Sequence, residues 1–349
     1  MKKLQRSHYQ MKEEPVNRLI DQLVRHVGGI ADPHFLKEMI VTALKIGEEE
    51  FERGDVKMIN TAMKELRYGI KVFYPYANMR KVAIFGSARI PRAAKEYQQA
   101  SEFARLIVRE GWMVITGAAS GIMNAGNEGA GRANSFGVNI RLPFEQSANP
   151  VLAGDPKLIH FKYFFTRKLI FVAQSHATLL CPGGFGTHDE AFETMTLVQT
   201  GKTSPRPIVC LDPPRSTYWK HWREFLEKQM ADRGLIDPCD IGLMDFTHDP
   251  KEAVEIIAGY YRNYHSMRYL GERLLLRLKR PLSRERILTL NRQFEDIILK
   301  GEIRQFRKPL KEEQEDHLTA DLARLIFHFN RRHFARLHQM IKAVNAVSG

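Results

Sequence analysis

The chain has little cysteine and no long apolar run. Its three cysteines, Cys181, Cys210 and Cys239, form no CxxC pair and no Cys/His ligand set. A disulfide framework and a zinc site are therefore not expected, and buried free thiols are. No stretch approaches the ~20 apolar residues of a membrane span. The basic N-terminus MKKLQRSHYQMKEEP has no apolar signal core behind it, so the expected setting is cytoplasmic, with no membrane partner. Neither GxxxxGK[ST] nor GxGxxG occurs, which takes weight from a nucleoside triphosphatase and from an ordinary dehydrogenase. Repeats and low-complexity tracts are missing as well.

What remains is the composition of a folded protein, with 44% apolar and 27% charged residues, in a chain long enough for one catalytic domain plus extensions. The net charge of +13 is uneven: from Arg262 to the end there are 19 Lys/Arg against 10 Asp/Glu. Such a surplus steers nucleotides, nucleic acid or acidic partners and says nothing about fold.

Hydrophobic spacing divides the chain into three parts. Residues 1–78 read as helices, with apolar positions in LIDQLVRHV and FLKEMIVTALKIGEEEF and a segment capped by Asp55. Residues 79–264 alternate short apolar runs with helix-length segments, the signature of βαβ units. Strands are expected at 81–88, 112–119, 135–142, 158–164, 177–183, 207–212 and 242–247. Helices are expected near 94–110, 120–133, 166–175, 187–200, 218–233 and 250–263. Residues 265–349 read as helical and basic, with Leu322, Ile326, Phe329, Leu337, Met340 and Ile341 near one face of the last helix. Packing on the main domain or on a second subunit, a nucleic-acid grip and a regulatory site all stay open for this tail. The fold class is thus α/β, a Rossmann-like doubly wound parallel sheet with helical N- and C-terminal extensions. Ligands of such sheets bind beyond the carboxyl ends of the strands, near Gly86, Ser87, Gly117 and Gly183.

The densest signal is LLCPGGFGTHDEAFETMTLVQTGK, residues 179–202. Pro182 ends a strand, and Gly183, Gly184 and Gly186 permit backbone angles and close approach that side chains forbid. Amides at such a turn, aimed by a helix N-terminus, form an anion site suited to phosphate; turn chemistry alone is the other reading. Thr187 and Glu190 also spell a capping box. The same spacing places a carboxylate beside whatever the loop binds, where a glycosidic-bond enzyme uses one. Upstream, Arg167 and Lys168 open a helix, at the end where cations are unfavourable, so either an anion compensates them or they are solvated surface charges.

The Arg167–Lys168 pair followed by PGGFGTHDE at 182–190 resembles the Lonely Guy (LOG) family of phosphoribohydrolases, whose motif runs R-K, then PGGxGTxxE. VAIFGSAR, TGAASGIMNAGNEGA, GVNIRLPFEQSANP and TLVQTGK follow the family's order, and the resemblance spans residues 80–262. It implies hydrolysis of the N-glycosidic bond of a nucleoside 5′-monophosphate, AMP or a related purine or cytokinin-type nucleotide. Arg167 and Glu190 would be catalytic, with an ionised Glu190 facing the sugar. The glycine loop, Thr187, Lys168, Gly86, Ser87 and Gly117 would hold substrate. No metal or cofactor is implied, and a homo-oligomer is. The lysine decarboxylase label carried by such chains fails, because nothing marks a pyridoxal-phosphate lysine.

The departures are Ala118, Ala119 and Ser120 in TGAASG, where the family has glycine, glycine and proline, and Asn124 in place of a frequent Glu. They leave a non-hydrolytic nucleotide sensor or carrier as the alternative. Glu193 reads as a helix charge near the site, and His176 and His188 as capped or solvated histidines or acids for the leaving base. Asn139, Pro143 and Glu145 read as lining the pocket or a subunit contact.

Overall fold

The computed structural model describes residues 9–29, 31–141, 148–313 and 319–346. Two compact units result, residues 1–67 and 68–349. In the first, α1 (Glu14–Val27) and α2 (Pro33–Glu48) bury Ile20, Val24 and Val41 with Met11 in a small core. The long α3 (Arg53–Phe73) follows, and Asp55 sits inside its first turn instead of capping it.

The second unit opens with the parallel sheet. Its elements are β1 (Lys81–Phe85), α4 (Lys95–Arg109), β2 (Met113–Thr116), α5 (Ile122–Ala130), β3 (Ser135–Ile140), β4 (Leu158–Phe161), α6 (Phe164–Gln174), β5 (Ala177–Leu180), α7 (Phe185–Gln199), β6 (Ile208–Leu211), α8 (Tyr218–Phe225), β7 (Met244–Thr247) and α9 (Pro250–Gly259). All seven expected strands form, in the order β4-β3-β2-β1-β5-β6-β7, every neighbour parallel. β1 and β2 end before Gly86 and Gly117, and β5 ends three residues before Gly183, so these residues peel away as loops. β1, β2, β5 and β6 are buried along their whole length, as expected when helices cover both faces. The strand order reverses between β1 and β5, and there a crevice opens.

The C-terminal segment corrects the helical expectation. It contains β8 (Tyr264–Leu270), β9 (Arg273–Leu278), α10 (Arg284–Gln293), β10 (Ile298–Phe306), β11 (Ala323–Phe329) and α11 (Phe334–Asn345). The strands form an antiparallel sheet in the order β10-β11-β9-β8. Leu337, Met340 and Ile341 do lie in α11, but Ile326 and Phe329 belong to β11. One face of this sheet, with Leu274, Leu276, Leu325 and Phe327, joins the main core beside α9 and α11, while Leu275 and Ile326 pack with Leu270 and Leu310 on the other. With both faces apolar, β9 and β11 show no alternation, and a continuous apolar run does not distinguish strand from helix. The sheet shares a compact unit with the Rossmann-like part, so residue 264 does not divide two units.

The segment's charge is partly internal. Glu313 accepts from Arg277 Nη2 at 2.9 Å, from Arg324 Nε at 3.0 Å and from the Leu310 amide at 3.2 Å, and Arg324 has no exposed surface. Burial pushes the Glu313 carboxyl up, but the Leu310 amide and the two guanidiniums outweigh it and hold it below its ordinary value. Its contribution to stability is thus present above the unfolded carboxylate range and is lost as pH falls through the depressed folded value. Glu313→Gln is expected to lower unfolding free energy by about 3 kcal/mol, since it leaves two buried cations without their counter-charge; urea denaturation checks this, and a loss under ~1 kcal/mol would show the network is not structural.

Candidate active site

At the crevice beyond β1 and β5 lies a cavity of about 840 Å³, within the usual range for small-molecule sites. Three glycines let the loops around it close on one another. A Cβ on Gly86 would meet the Ile122 side chain at 2.6 Å, one on Gly121 the Ser87 carbonyl at 2.3 Å, and one on Gly183 the Thr187 hydroxyl at 2.0 Å. These contacts stitch three loops together, reinforced by Ser87 N–H to the Pro182 carbonyl at 3.1 Å and Ile122 N–H to the Ser87 carbonyl at 3.0 Å. Gly184 and Gly186 have nothing within 4 Å of a built Cβ, so their approach is left open on the cavity side.

The capping box is not formed. Helix α7 starts at Phe185 with Gly184 as its uncapped N-cap residue. Thr187 is therefore the third helical residue, and its amide bonds the Gly184 carbonyl at 3.0 Å. The Phe185 and Gly186 amides precede that bond and meet no side-chain cap, which leaves a local positive end beside the cavity.

Glu190 lies one turn further along, only 2% exposed, and lines the cavity. Its Oε1 is 3.7 Å from both Arg167 Nη2 and Lys168 Nζ. Lys168 is committed elsewhere, to Glu193 at 2.8 Å and Asp189 at 2.9 Å. Burial works against the Lys168 charge, but those two acids outweigh it and raise its pKa. With Lys168 so occupied, burial dominates at Glu190 and pushes its carboxyl up to about 7, against the opposing pull of Lys168 and Arg167. The expectation of a fully ionised Glu190 is corrected accordingly: near neutral pH the group is poised to exchange a proton.

Gly86, Ser87, Gly117, Arg167, Gly183, Gly184, Gly186, Thr187 and Glu190 all line this one cavity. Lys168 does not; it stands behind Glu190 in the ion cluster with Glu193. No lysine lines the cavity among the described residues. Asn139 lines it and donates to the Gly117 carbonyl at 3.1 Å. Pro143 and Glu145 lie outside the described residues. His176 precedes β5, at the other end of the sheet, which removes it as an acid for this site.

Tyr218 was not foreseen. Its hydroxyl donates to the Gly183 carbonyl, accepts the Gly183 amide at 3.2 Å and meets His188 Nε2 at 2.7 Å. One hydroxyl proton serves one acceptor, so with that proton on Gly183 the His188 ring donates from Nε2. Burial lowers the His188 pKa and favours the neutral ring. Tyr218 opens α8, beyond β6, and no local sequence signal ties it to a loop some 35 residues earlier.

The altered turn keeps its shape. Ala118 adopts φ 55°, the conformation a glycine would supply. Its methyl is fully buried toward Gly137, where a built Cβ would come within 2.8 Å of it. It therefore points away from the cavity, which Ala119 lines instead. Asn124 faces a neighbouring cavity of about 730 Å³ and donates to Tyr97 and Glu128 at 2.6 and 3.1 Å.

Residues 116–257 match the family described as possible lysine decarboxylase. The chain is also similar to the cytokinin riboside 5′-monophosphate phosphoribohydrolase of Mycobacterium tuberculosis, at 27% identity over 184 residues, covering 51% of this chain and 92% of that protein. These two matches bear out the LOG resemblance carried by Arg167–Lys168 and residues 182–190. Among solved structures it is similar to the molybdenum cofactor binding protein of Rippkaea orientalis, at 20% identity and TM-score 0.36, covering 51% of this chain and 94% of that one. DNA processing protein A of Helicobacter pylori is similar at 16% identity and TM-score 0.36, covering 50% and 79%. Likeness at that level carries no functional argument.

Two substitutions separate loop support from loop chemistry. Tyr218→Phe removes the clamp on Gly183 and is expected to lower stability by about 1–2 kcal/mol, read from thermal melts. Gly184→Ala meets open space, so its melting temperature is expected to stay unchanged while affinity for a nucleoside monophosphate falls; unchanged affinity would show that no ligand approaches this turn.

Proposed function

We propose that this chain, whose Rossmann-like domain is of the LOG type, hydrolyses the N-glycosidic bond of a nucleoside 5′-monophosphate, releasing the free base and ribose 5-phosphate. The observation that carries the proposal is the buried Glu190 carboxyl, with a pKa of about 7, in one cavity with Arg167 and an uncapped glycine-rich helix start. The relative from Mycobacterium tuberculosis is named for this activity on a cytokinin riboside 5′-monophosphate, which supports a purine-type nucleotide as substrate.

In this reading the phosphate takes the amides of residues 184–186 and the Arg167 guanidinium, so that the ribose lies against Glu190. As the bond from C1′ to the base nitrogen breaks, its electron pair leaves with the base and positive charge builds on the ribose. The ionised Glu190 stabilises that charge and takes a proton from the water whose oxygen bonds C1′. The base nitrogen gains a proton, and atoms balance as nucleotide plus water. A sensor or carrier reading rested on the altered TGAASG turn; Ala118 holds a glycine-like φ and turns its methyl to Gly137, so that feature does not favour it.

Self-association is part of the proposal. Phe164, Phe165 and Leu169 on α6 are about half exposed, and Phe185 at the cavity mouth is 96% exposed, an apolar collar that a second copy would cover.

Incubation with a panel of nucleoside monophosphates is expected to release free base. Glu190→Gln is expected to reduce kcat roughly hundredfold or more while leaving nucleotide binding in place. Because the ionised carboxylate does the work, kcat/KM is expected to rise as pH passes through about 7 and then level off. Tight binding without base release, or a Glu190→Gln enzyme of undiminished rate, would sink the hydrolase. Leu169→Asp is expected to shift sedimentation toward the monomer, and an unchanged profile would refute the collar as an interface.

A further inference from the structure

A cavity of about 440 Å³ lies at the opposite end of the parallel sheet, where the strands begin. Arg80 precedes β1, His176 precedes β5 and Arg206 stands just before β6; all three line it, with Tyr261 and Ser175. Five residues of β1 separate it from Gly86, about 16 Å at ~3.3 Å per residue.

The electrostatics of this cavity are one-sided. Arg206 is 7% exposed, and its Nη atoms meet only neutral acceptors: the Val172 and Ser175 carbonyls at 2.9 and 2.8 Å and the Ser175 and Thr203 hydroxyls. Its Nε is buried with no hydrogen-bond partner. The Arg80 guanidinium lies 3.8 Å from the centre of the Tyr261 ring and reaches the His265 carbonyl at 3.5 Å. Close behind, Lys81 Nζ donates to the Tyr76 and Met79 carbonyls and Lys279 Nζ to the Tyr261 carbonyl. Burial lowers the pKa of all four cations, Lys81 to about 8, and no carboxylate among the described residues acts to restore them. His176 is pushed down to about 3 by burial and then by Arg80, Lys81 and Arg206. Its Nδ1 accepts the Lys81 amide at 3.2 Å, so the neutral ring carries its proton on Nε2 as a further donor.

Desolvated cations without a counter-charge are unfavourable unless an anion arrives. Carbonyl dipoles, including those ending α6, offset only part of the charge on the buried Arg206 and Lys81 and the half-buried Arg80. We propose that this cavity is a second anion site, distinct from the glycine loop, for a compact ligand bearing two or more linked phosphate groups. Arg80 and Arg206 supply planar forks suited to phosphate oxygens, and His176 Nε2 adds a neutral donor. Arg80 and Arg206 in the lining, with the buried Lys81 behind them, call for more negative charge than one carboxylate or monophosphate brings, and the volume admits a short chain of phosphates.

Calorimetric titration of the full chain with inorganic tripolyphosphate, at ionic strength held constant with chloride, reads binding directly, so its outcome does not depend on hydrolase activity. A site is expected that binds tripolyphosphate more tightly than inorganic phosphate. Arg80→Met is expected to weaken it roughly tenfold or more, as loss of a charge-assisted fork should, with an unchanged melting temperature. Because Arg206 also ties the last turn of α6, Arg206→Lys serves there, keeping the charge but losing the fork, and intermediate weakening is expected. Arg167→Met in the catalytic cavity and Lys308→Met on the exposed tail should each leave affinity within about twofold. The proposal is overturned by an absence of binding beyond the chloride background, by loss of binding in Arg167→Met with retention in Arg80→Met, or by equal weakening in Lys308→Met.

Discussion

The candidate site depends on the burial of one carboxyl group. Glu190 is removed from water on the first turns of α7, and its two neighbouring cations stand 3.7 Å away, beyond hydrogen-bond contact. Were Lys168 free to close on it, the acid would be an ordinary ion pair with a depressed pKa. Asp189 and Glu193 hold Lys168 instead, so burial prevails and the group titrates near neutrality. Acids on the outer side of one helix thus tune the acid on its inner side.

That arrangement requires three chain segments to meet almost without side chains. Gly86, Gly121 and Gly183 each occupy a place where a Cβ would strike a neighbour, and the turn between β2 and α5 keeps its path although Ala118 must adopt a left-handed conformation. The strain of roughly 1 kcal/mol for such a residue is tolerated because Gly137 leaves room for its methyl. The alanine methyl is therefore accommodated against β3 and stays out of the cavity.

The basic surplus has no single meaning. Arg277 and Arg324 share one buried counter-charge, Glu313, beside the C-terminal sheet. Arg80 with Lys81, Arg206 and the exposed Lys279 converge from three distant segments at the base of the parallel sheet and meet carbonyls, hydroxyls and the Tyr261 ring. Net charge counts both groups alike, whereas their chemistry differs in whether an acid lies within reach.

Much of the fold was legible in the chain. The seven parallel strands follow from short apolar runs ending in glycine or small residues, a pattern produced by local sterics and two-sided burial. The glycine loop and the Arg167–Lys168 and Glu190 positions were likewise local signals, with spacing that survives into the structure. The C-terminal sheet was not legible, since β9 and β11 are apolar on both faces and lose the alternation that marks a strand. The sequence by itself determined which groups could do chemistry and roughly where the strands would end. Tertiary structure alone decided that Thr187 does not cap α7, that Lys168 is diverted to Asp189 and Glu193, that Tyr218 clamps Gly183, and that four cations gather without an acid. Each of these depends on desolvation and on distances between residues far apart in the chain, which no local pattern encodes.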